Sequence, residues 1–155
     1  MICDDLPVAT FEPHDPDWAA RVRTGVARQA FMTTLGAEIA ALAPGAVDLQ
    51  TGFAEGLTQQ HGFFHAGVTT SLADSAAGYA ALSLFAPGFG VLTSEFKMNL
   101  LNPARGRRLV ARGRVIKPGR TLTVAASDVY GIDDDGEVHV ATGLFTLIAM
   151  EGLGD

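Results

Sequence analysis

The longest regular pattern in the chain is apolar on every side. From Ala66 to Phe85 the residues are Ala, Gly, Val, Leu, Tyr and Phe with a few hydroxyls, and Asp74 is the only ionisable side chain apart from Tyr79. Such a pattern predicts a buried helix. Before it, residues 14–34 carry Trp18, Val22, Val26 and then Ala30 or Phe31 at helical spacing, with Asp15 as N-cap and Pro16 in the first turn. This predicts an amphipathic helix lying on the rest of the protein. LGAEIAALAP (35–44) and GAVDLQTGF (45–53) read as two short strands joined at Pro44-Gly45, the second alternating Val47, Leu49, Thr51, Phe53.

Four strand-like runs follow the apolar helix. VLTSEFKMNLL (91–101) places Leu92, Phe96, Met98 and Leu100 on one face and Thr93, Glu95, Lys97 and Asn99 on the other. RRLVARGRVIK (107–117) leads through Pro118-Gly119, a type II turn pair, into RTLTVAASDVY (120–130), where Leu122, Val124 and Ala126 share a face. IDDDGEV is a turn, and VHVATGLFTLIAM (138–150) closes the sheet. Short connections favour antiparallel neighbours. The expectation is an α+β fold, an antiparallel sheet of five to six strands wrapped around the central helix, with an extra N-terminal helix.

Composition narrows the function. A length of 155 residues suits one domain, 1–155, with 1–34 as a helical extension packed on it. A net charge of −6 and a pI near 5.1 argue against nucleic acid or an anionic membrane as partner. Cys3 is the single cysteine, which excludes an internal disulfide and suits a reducing compartment. Asp4 and Asp5 stand where a basic leader would be, and hydroxyls and Asp74 make residues 66–86 a poor membrane span. The expected setting is cytoplasmic.

An ionised carboxylate inside an apolar helix is costly unless it is paired, hydrogen-bonded or used. The words around Asp74 bear on which. Gln59-x-x-Gly62-x-x-His65-Ala66-Gly67 followed by Leu72-Ala73-Asp74 resembles the signature of the hotdog-fold acyl-CoA thioesterases of the phenylacetate-pathway (PaaI-like) type. The strand from Thr93 to Asn99, ending in Leu101-Asn102-Pro103-Ala104, and the hairpin Lys117-Pro118-Gly119-Arg120 are similar to the family's strand after the helix and its basic hairpin. The resemblance covers about Leu35 to Met150.

The resemblance implies a hotdog fold and hydrolysis of an acyl-CoA without metal or bound cofactor. It makes Asp74 the catalytic carboxylate, as general base or nucleophile. Gln59, where the family more often has Asn, would position the nucleophile and thioester. The Ala66 N–H, with Gly67 beside it, would polarise the carbonyl, His65 would support that turn, and Thr93 would stand near the catalytic water. Ala66 replaces the usual glycine, which keeps the N–H but narrows the backbone angles.

Physics places an oxyanion site at the same end of the helix, where unpaired N–H groups and the positive end of the dipole meet. Ala66 and Asp74 are eight residues apart, which is about 12 Å along a helix axis. One thioester cannot touch both within one chain. A site using both needs two copies with antiparallel helices, and the expected assembly is a homodimer or a dimer of dimers.

Other readings stand beside these. Asp74 also fits a structural carboxylate satisfied by a partner. His61 and His65 have the i, i+4 spacing of metal ligands but lack an evident third ligand. His139 reads as an ordinary strand residue and His14 as a surface one. Phe63, Phe64, Tyr79, Phe85 and Phe89 suit core or interface at least as well as acyl-pocket walls. Seven of the eleven Lys and Arg fall between 105 and 120; Arg108, Arg112 and Arg114 read as a solvated strand face, and Arg105, Arg107, Lys117 and Arg120 as candidates for coenzyme A phosphates. Two rival functions remain: a non-catalytic acyl-CoA-binding module, and a hotdog enoyl-thioester hydratase or dehydratase using His65.

Overall fold

The computed structural model describes residues 10–153. Cys3, Asp4 and Asp5, and the readings that rest on them, lie outside the described residues. In chain order the elements are α1 (Trp18–Arg28), α2 (Ala30–Leu35), β1 (Ala37–Ala43), β2 (Ala46–Gly52), a 3-10 turn at Glu55–Leu57, α3 (Ala66–Leu82), β3 (Phe89–Leu100), β4 (Arg108–Lys117), β5 (Leu122–Asp133) and β6 (Gly136–Glu151). The six strands form one sheet in the order β1-β2-β4-β5-β6-β3, antiparallel at every pairing. Helix α3 packs across β2 to β6, as a helix apolar all round must. None of the helices is long and apolar enough to cross a membrane among the described residues.

What seats α3 is a row of small residues. Gly113, Ser127 and Gly143 are direct cross-strand partners on β4, β5 and β6. A Cβ added at Gly113 would lie 2.4 Å from the Ala76 carbonyl group, so the helix backbone rests on the sheet there. Ala73, Ala76, Ala77 and Ala80 are fully buried on the helix side of this contact. The Ser127 hydroxyl is buried with no hydrogen-bond partner among the described residues.

The N-terminal helix differs from its reading. It begins at Trp18 rather than Pro16, and the Asp15 carboxylate accepts the Asp17 N–H at 2.9 Å. It also breaks at Gln29, whose ψ of 99° is extended. The restart shifts the phase: Ala30 and Phe31 face solvent, while Met32 and Leu35 are buried. Arg21, beside Asp15 at 3.5 Å, donates to the carbonyls of Phe85, Ala86 and Phe89 and so ties α1 to the end of α3.

Strand β3 was expected beside β4 and lies instead at the free edge beyond β6. Its faces also differ from strict alternation. Thr93 pairs with Leu147 and Glu95 with Thr146, leaving Ser94 as a bulge. Directly paired residues share a face, and Leu147 and Phe145 are fully buried. Val91 and Thr93 before the bulge, and Phe96 and Met98 after it, therefore all face α3, whereas Leu92 and Glu95 face away. Alternation had put Thr93 and Phe96 on opposite faces; one inserted residue reverses that.

Of two further expectations, one holds and one changes. Leu122, Val124 and Ala126 do share a face, but it is the outer one; Thr123, Ala125, Ser127 and Val129 are the buried set. A type II turn needs a left-handed residue, and Gly119 is not among the positive-φ glycines. Its small size is used differently, because an added Cβ would meet the Leu122 carbonyl oxygen at 2.1 Å.

Candidate active site

Asp74 sits near the middle of α3, half-buried, on the side that looks towards β3. The bulge at Ser94 aims Thr93 at it, and the Thr93 hydroxyl donates to Asp74 Oδ1 at 2.7 Å. Burial pushes the Asp74 carboxyl above its ordinary range, and the Thr93 hydrogen bond draws it part of the way back. A carboxylate that keeps a raised proton affinity while one oxygen is held in place is suited to taking a proton from water. Asp74 and Thr93 line an open cleft of about 410 Å³, together with Gly78, Tyr79, Val91 and Leu153.

The other half of the motif builds the start of α3. His65 is the N-cap; its Nδ1 accepts the Gly67 N–H at 2.8 Å, and its carbonyl accepts Val68 and Thr69. That leaves the Ala66 N–H, first in the helix, with no acceptor among the described residues. Ala66 does not strain the turn, since no non-glycine residue among the described residues has positive φ. The left-handed position is Gly62, at φ +80°. Gly67 is small for a different reason, as an added Cβ would lie 2.9 Å from His65 Nδ1 and displace the cap.

Gln59 precedes this turn. Its carboxamide oxygen accepts the His61 N–H, and its backbone N–H bonds the Phe63 carbonyl at 2.9 Å. Gln59, Phe63, Ala66 and Thr69 line a second cleft of about 380 Å³ with Asn102 and Pro103. One helix thus borders two clefts. Asp74 and Thr93 are brought together, Gln59, His65, Ala66 and Gly67 are brought together, and the two groups open into separate clefts.

The remaining candidates scatter. Arg105 lies over the Phe63 ring at 4.5 Å, beside the Ala66 cleft. Arg107 pairs with Asp133 and Asp134. Lys117 is exposed at the end of β4, and Arg120 lines a third, mostly apolar cleft with Phe85 and Phe89. Arg112 grips Glu137 through two contacts of 3.1 and 2.6 Å, and Arg114 reaches Asp48 at 2.5 Å, so both belong to ion pairs of the outer sheet face. His139 stacks on Tyr130 and contacts Asp128 there. His61 lies in the turn before α3, and no cluster of three or more metal-ligating side chains occurs among the described residues.

Two walls of the Asp74 cleft went unread in the sequence. Gln29 reaches it from the break between α1 and α2, where it accepts the Tyr79 hydroxyl at 3.2 Å, and Leu153 reaches it from the C-terminal tail. Neither residue belongs to a motif. The tail packs closely at Gly90, where an added Cβ would meet the Leu153 carbonyl oxygen at 2.4 Å.

Comparison with known proteins bears on this arrangement. The thioesterase superfamily model matches residues 61–137, the span from the turn before α3 to the start of β6. The crystal structure of a thioesterase family protein from Silicibacter pomeroyi is 51% identical, covers 87% of this chain and 99% of its own, and superposes with a TM-score of 0.85. The PaaI protein of the phenylacetic acid degradation operon of E. coli shares the fold, with a TM-score of 0.78 at 20% identity over 90% of this chain and 97% of its own. A protein of Saccharolobus solfataricus that carries an esterase name is 35% identical over 96 residues. The chain spans 63% of that relative's length, and the match covers 62% of the chain. With motif and fold in agreement, the chain belongs to the thioesterase superfamily, a hotdog-fold family of thioester hydrolases.

Proposed function

We propose that the protein hydrolyses an acyl-CoA thioester to a carboxylic acid and free coenzyme A, at a site shared by two copies of the chain. The observation that carries this reading is the pair of half-sites on one helix: a Thr93-held carboxylate in one cleft, and an Ala66 N–H without an acceptor in another, eight residues away. Antiparallel α3 helices about a two-fold axis would set Ala66 of one copy against Asp74 of the other, and a dimer would then carry two composite sites. The edge position of β3 supports that assembly, since it leaves a twelve-residue strand with one side unpaired among the described residues and exposes Phe96 and Leu100 beside it.

In such a site the thioester oxygen lies on the Ala66 N–H, at the positive end of the helix dipole. Asp74 takes a proton from water as the water oxygen bonds to the carbonyl carbon, and the charge that develops on the carbonyl oxygen is met by the N–H. When the tetrahedral intermediate collapses, the C–S bond breaks and the thiolate leaves, taking up the proton from Asp74. Thr93 fixes one carboxylate oxygen so that the other faces the water. The Gln59 carboxamide, anchored through its oxygen, presents its NH2 end towards the thioester. Of the basic residues, Arg105 beside the Ala66 cleft is the one best placed for a coenzyme A phosphate. The chemistry needs no metal or bound cofactor, and we place it in the cytoplasm, where acyl-CoA is found and the Cys3 thiol stays reduced.

A panel of acyl-CoAs, assayed by release of free thiol from the purified protein, tests the reading. Turnover of at least one member, abolished in Asp74→Asn, is expected. Tight binding without thiol release would instead indicate an acyl-CoA-binding module, and conversion of an enoyl thioester to its 3-hydroxyacyl form would indicate a hydratase.

A further inference from the structure

The cleft at Asp74 runs on past the carboxylate along α3. Asp74, Gly78 and Leu82 are successive i, i+4 positions and line one stripe of the helix, with Val91 of β3 across from it. From Asp74 to Leu82 the stripe is about 12 Å long. Gly78, at its centre, is the unusual member. A glycine inside a helix stabilises it less than an alanine would, so what it leaves open is worth asking.

Close approach explains Gly113, where an added Cβ would strike the backbone of Ala76. It does not explain Gly78. The nearest atom to a Cβ added there is Val91 Cγ1 at 3.9 Å, an ordinary contact, and Gly78 is not among the positive-φ glycines. Neither the backbone nor the packing within the chain asks for glycine. Its effect is to leave the stripe between Asp74 and Leu82 bare.

We propose that Gly78 is the specificity-determining residue of this site. The acyl group lies in the groove over Gly78, with its carbonyl at Asp74 and its far end towards Leu82. The class of substrate follows from the lining. Among the described residues no Lys, Arg or His lines the groove and its one carboxylate is Asp74, so an acyl carboxylate would be buried beside a like charge with no cation there. The acyl group is therefore uncharged, larger than acetyl, and bounded by the length of the groove to a medium-length chain or a single ring. This rests on the thioesterase reading above.

The test measures kcat/KM for acetyl-, butyryl-, octanoyl- and benzoyl-CoA with wild type, Gly78→Ala and Gly78→Leu, alongside Tm and oligomeric state. The expected result is a graded fall in the octanoyl-to-acetyl ratio of kcat/KM, reaching about tenfold or more in Gly78→Leu, with the Tm of Gly78→Ala equal to or above wild type. A uniform loss over all four substrates, an unchanged ratio, or a change in oligomeric state would overturn it, the last because a second copy rather than an acyl group would then cover Gly78. Binding of the same acyl-CoAs to Asp74→Asn, with and without Gly78→Ala, reads the preference without catalysis. Absence of turnover in wild type would sink the thioesterase reading; a flat substrate profile in Gly78→Leu, with wild type active, would sink only this proposal.

Discussion

Asp74 is held by two opposed influences, burial and the Thr93 hydroxyl, and each can be removed singly. Because its folded proton affinity is raised above that of the unfolded chain, its contribution to stability is fully present below the unfolded pKa and is lost as pH rises through the folded one. Once ionised, the carboxylate works against the fold. Asp74→Asn should therefore lower thiol release by about 100-fold or more without lowering the Tm at pH 7. The Tm difference between variant and wild type should move in the variant's favour between pH 4 and 7, as thermal melts across that range would show. Thr93→Val removes the donor that draws the pKa down. The acid limb of its pH–rate profile should move to higher pH, and a profile unchanged from wild type would mean that Thr93 does not act through Asp74.

Helix α3 is seated by side chains that are missing rather than by side chains that reach. Gly113 and Ser127 are neighbours in the same row, yet they should respond in opposite directions. Gly113→Ala pushes a methyl into the Ala76 backbone and should cost about 1–3 kcal/mol in denaturant unfolding. Ser127→Ala removes a buried hydroxyl with no partner among the described residues and should leave stability unchanged or improve it. Strand β3 makes the complementary point. Its alternation was legible in the sequence, but the bulge was not, because Thr-Ser-Glu carries no glycine or proline to announce an extra residue. That single insertion decides whether Thr93 meets Asp74 or solvent. The break at Gln29 escaped for the same reason, since all the residues from Arg28 to Met32 are acceptable in a helix.

For the molecule as a whole, the proposed function makes assembly part of the chemistry, and this is testable. Ala66→Pro offers a sharper lesion than its name suggests: Ala66 is the first helical residue, where proline is tolerated, and His65 already has the extended ψ of 141° that a following proline prefers. The substitution deletes the N–H and little else. Asp74→Ala and Ala66→Pro homodimers should each be inactive. After random mixing about a quarter of the wild-type activity should return, because half of the dimers are mixed and each of these has one intact site. If verified heterodimers stay inactive, Asp74 and Ala66 do not serve one thioester across two chains.

The sequence by itself determined the family, the nature of α3 and, apart from the break at Gln29, the element order, because each of these is local. A helix apolar on all sides must be buried, a lone carboxylate within it needs a reason, and eight residues of helix separate Asp74 from Ala66 whatever surrounds them. Tertiary structure alone decided which strand stands at the free edge, which face Thr93 takes, and which residues wall the cleft beside Asp74. Those outcomes depend on pairings between distant segments: β3 with β6 rather than β4, the C-terminal tail over Gly90, and Gln29 against Tyr79. A pairing register shifts by one residue without any change in composition, and the period of two along a strand turns that one residue into a reversal of faces.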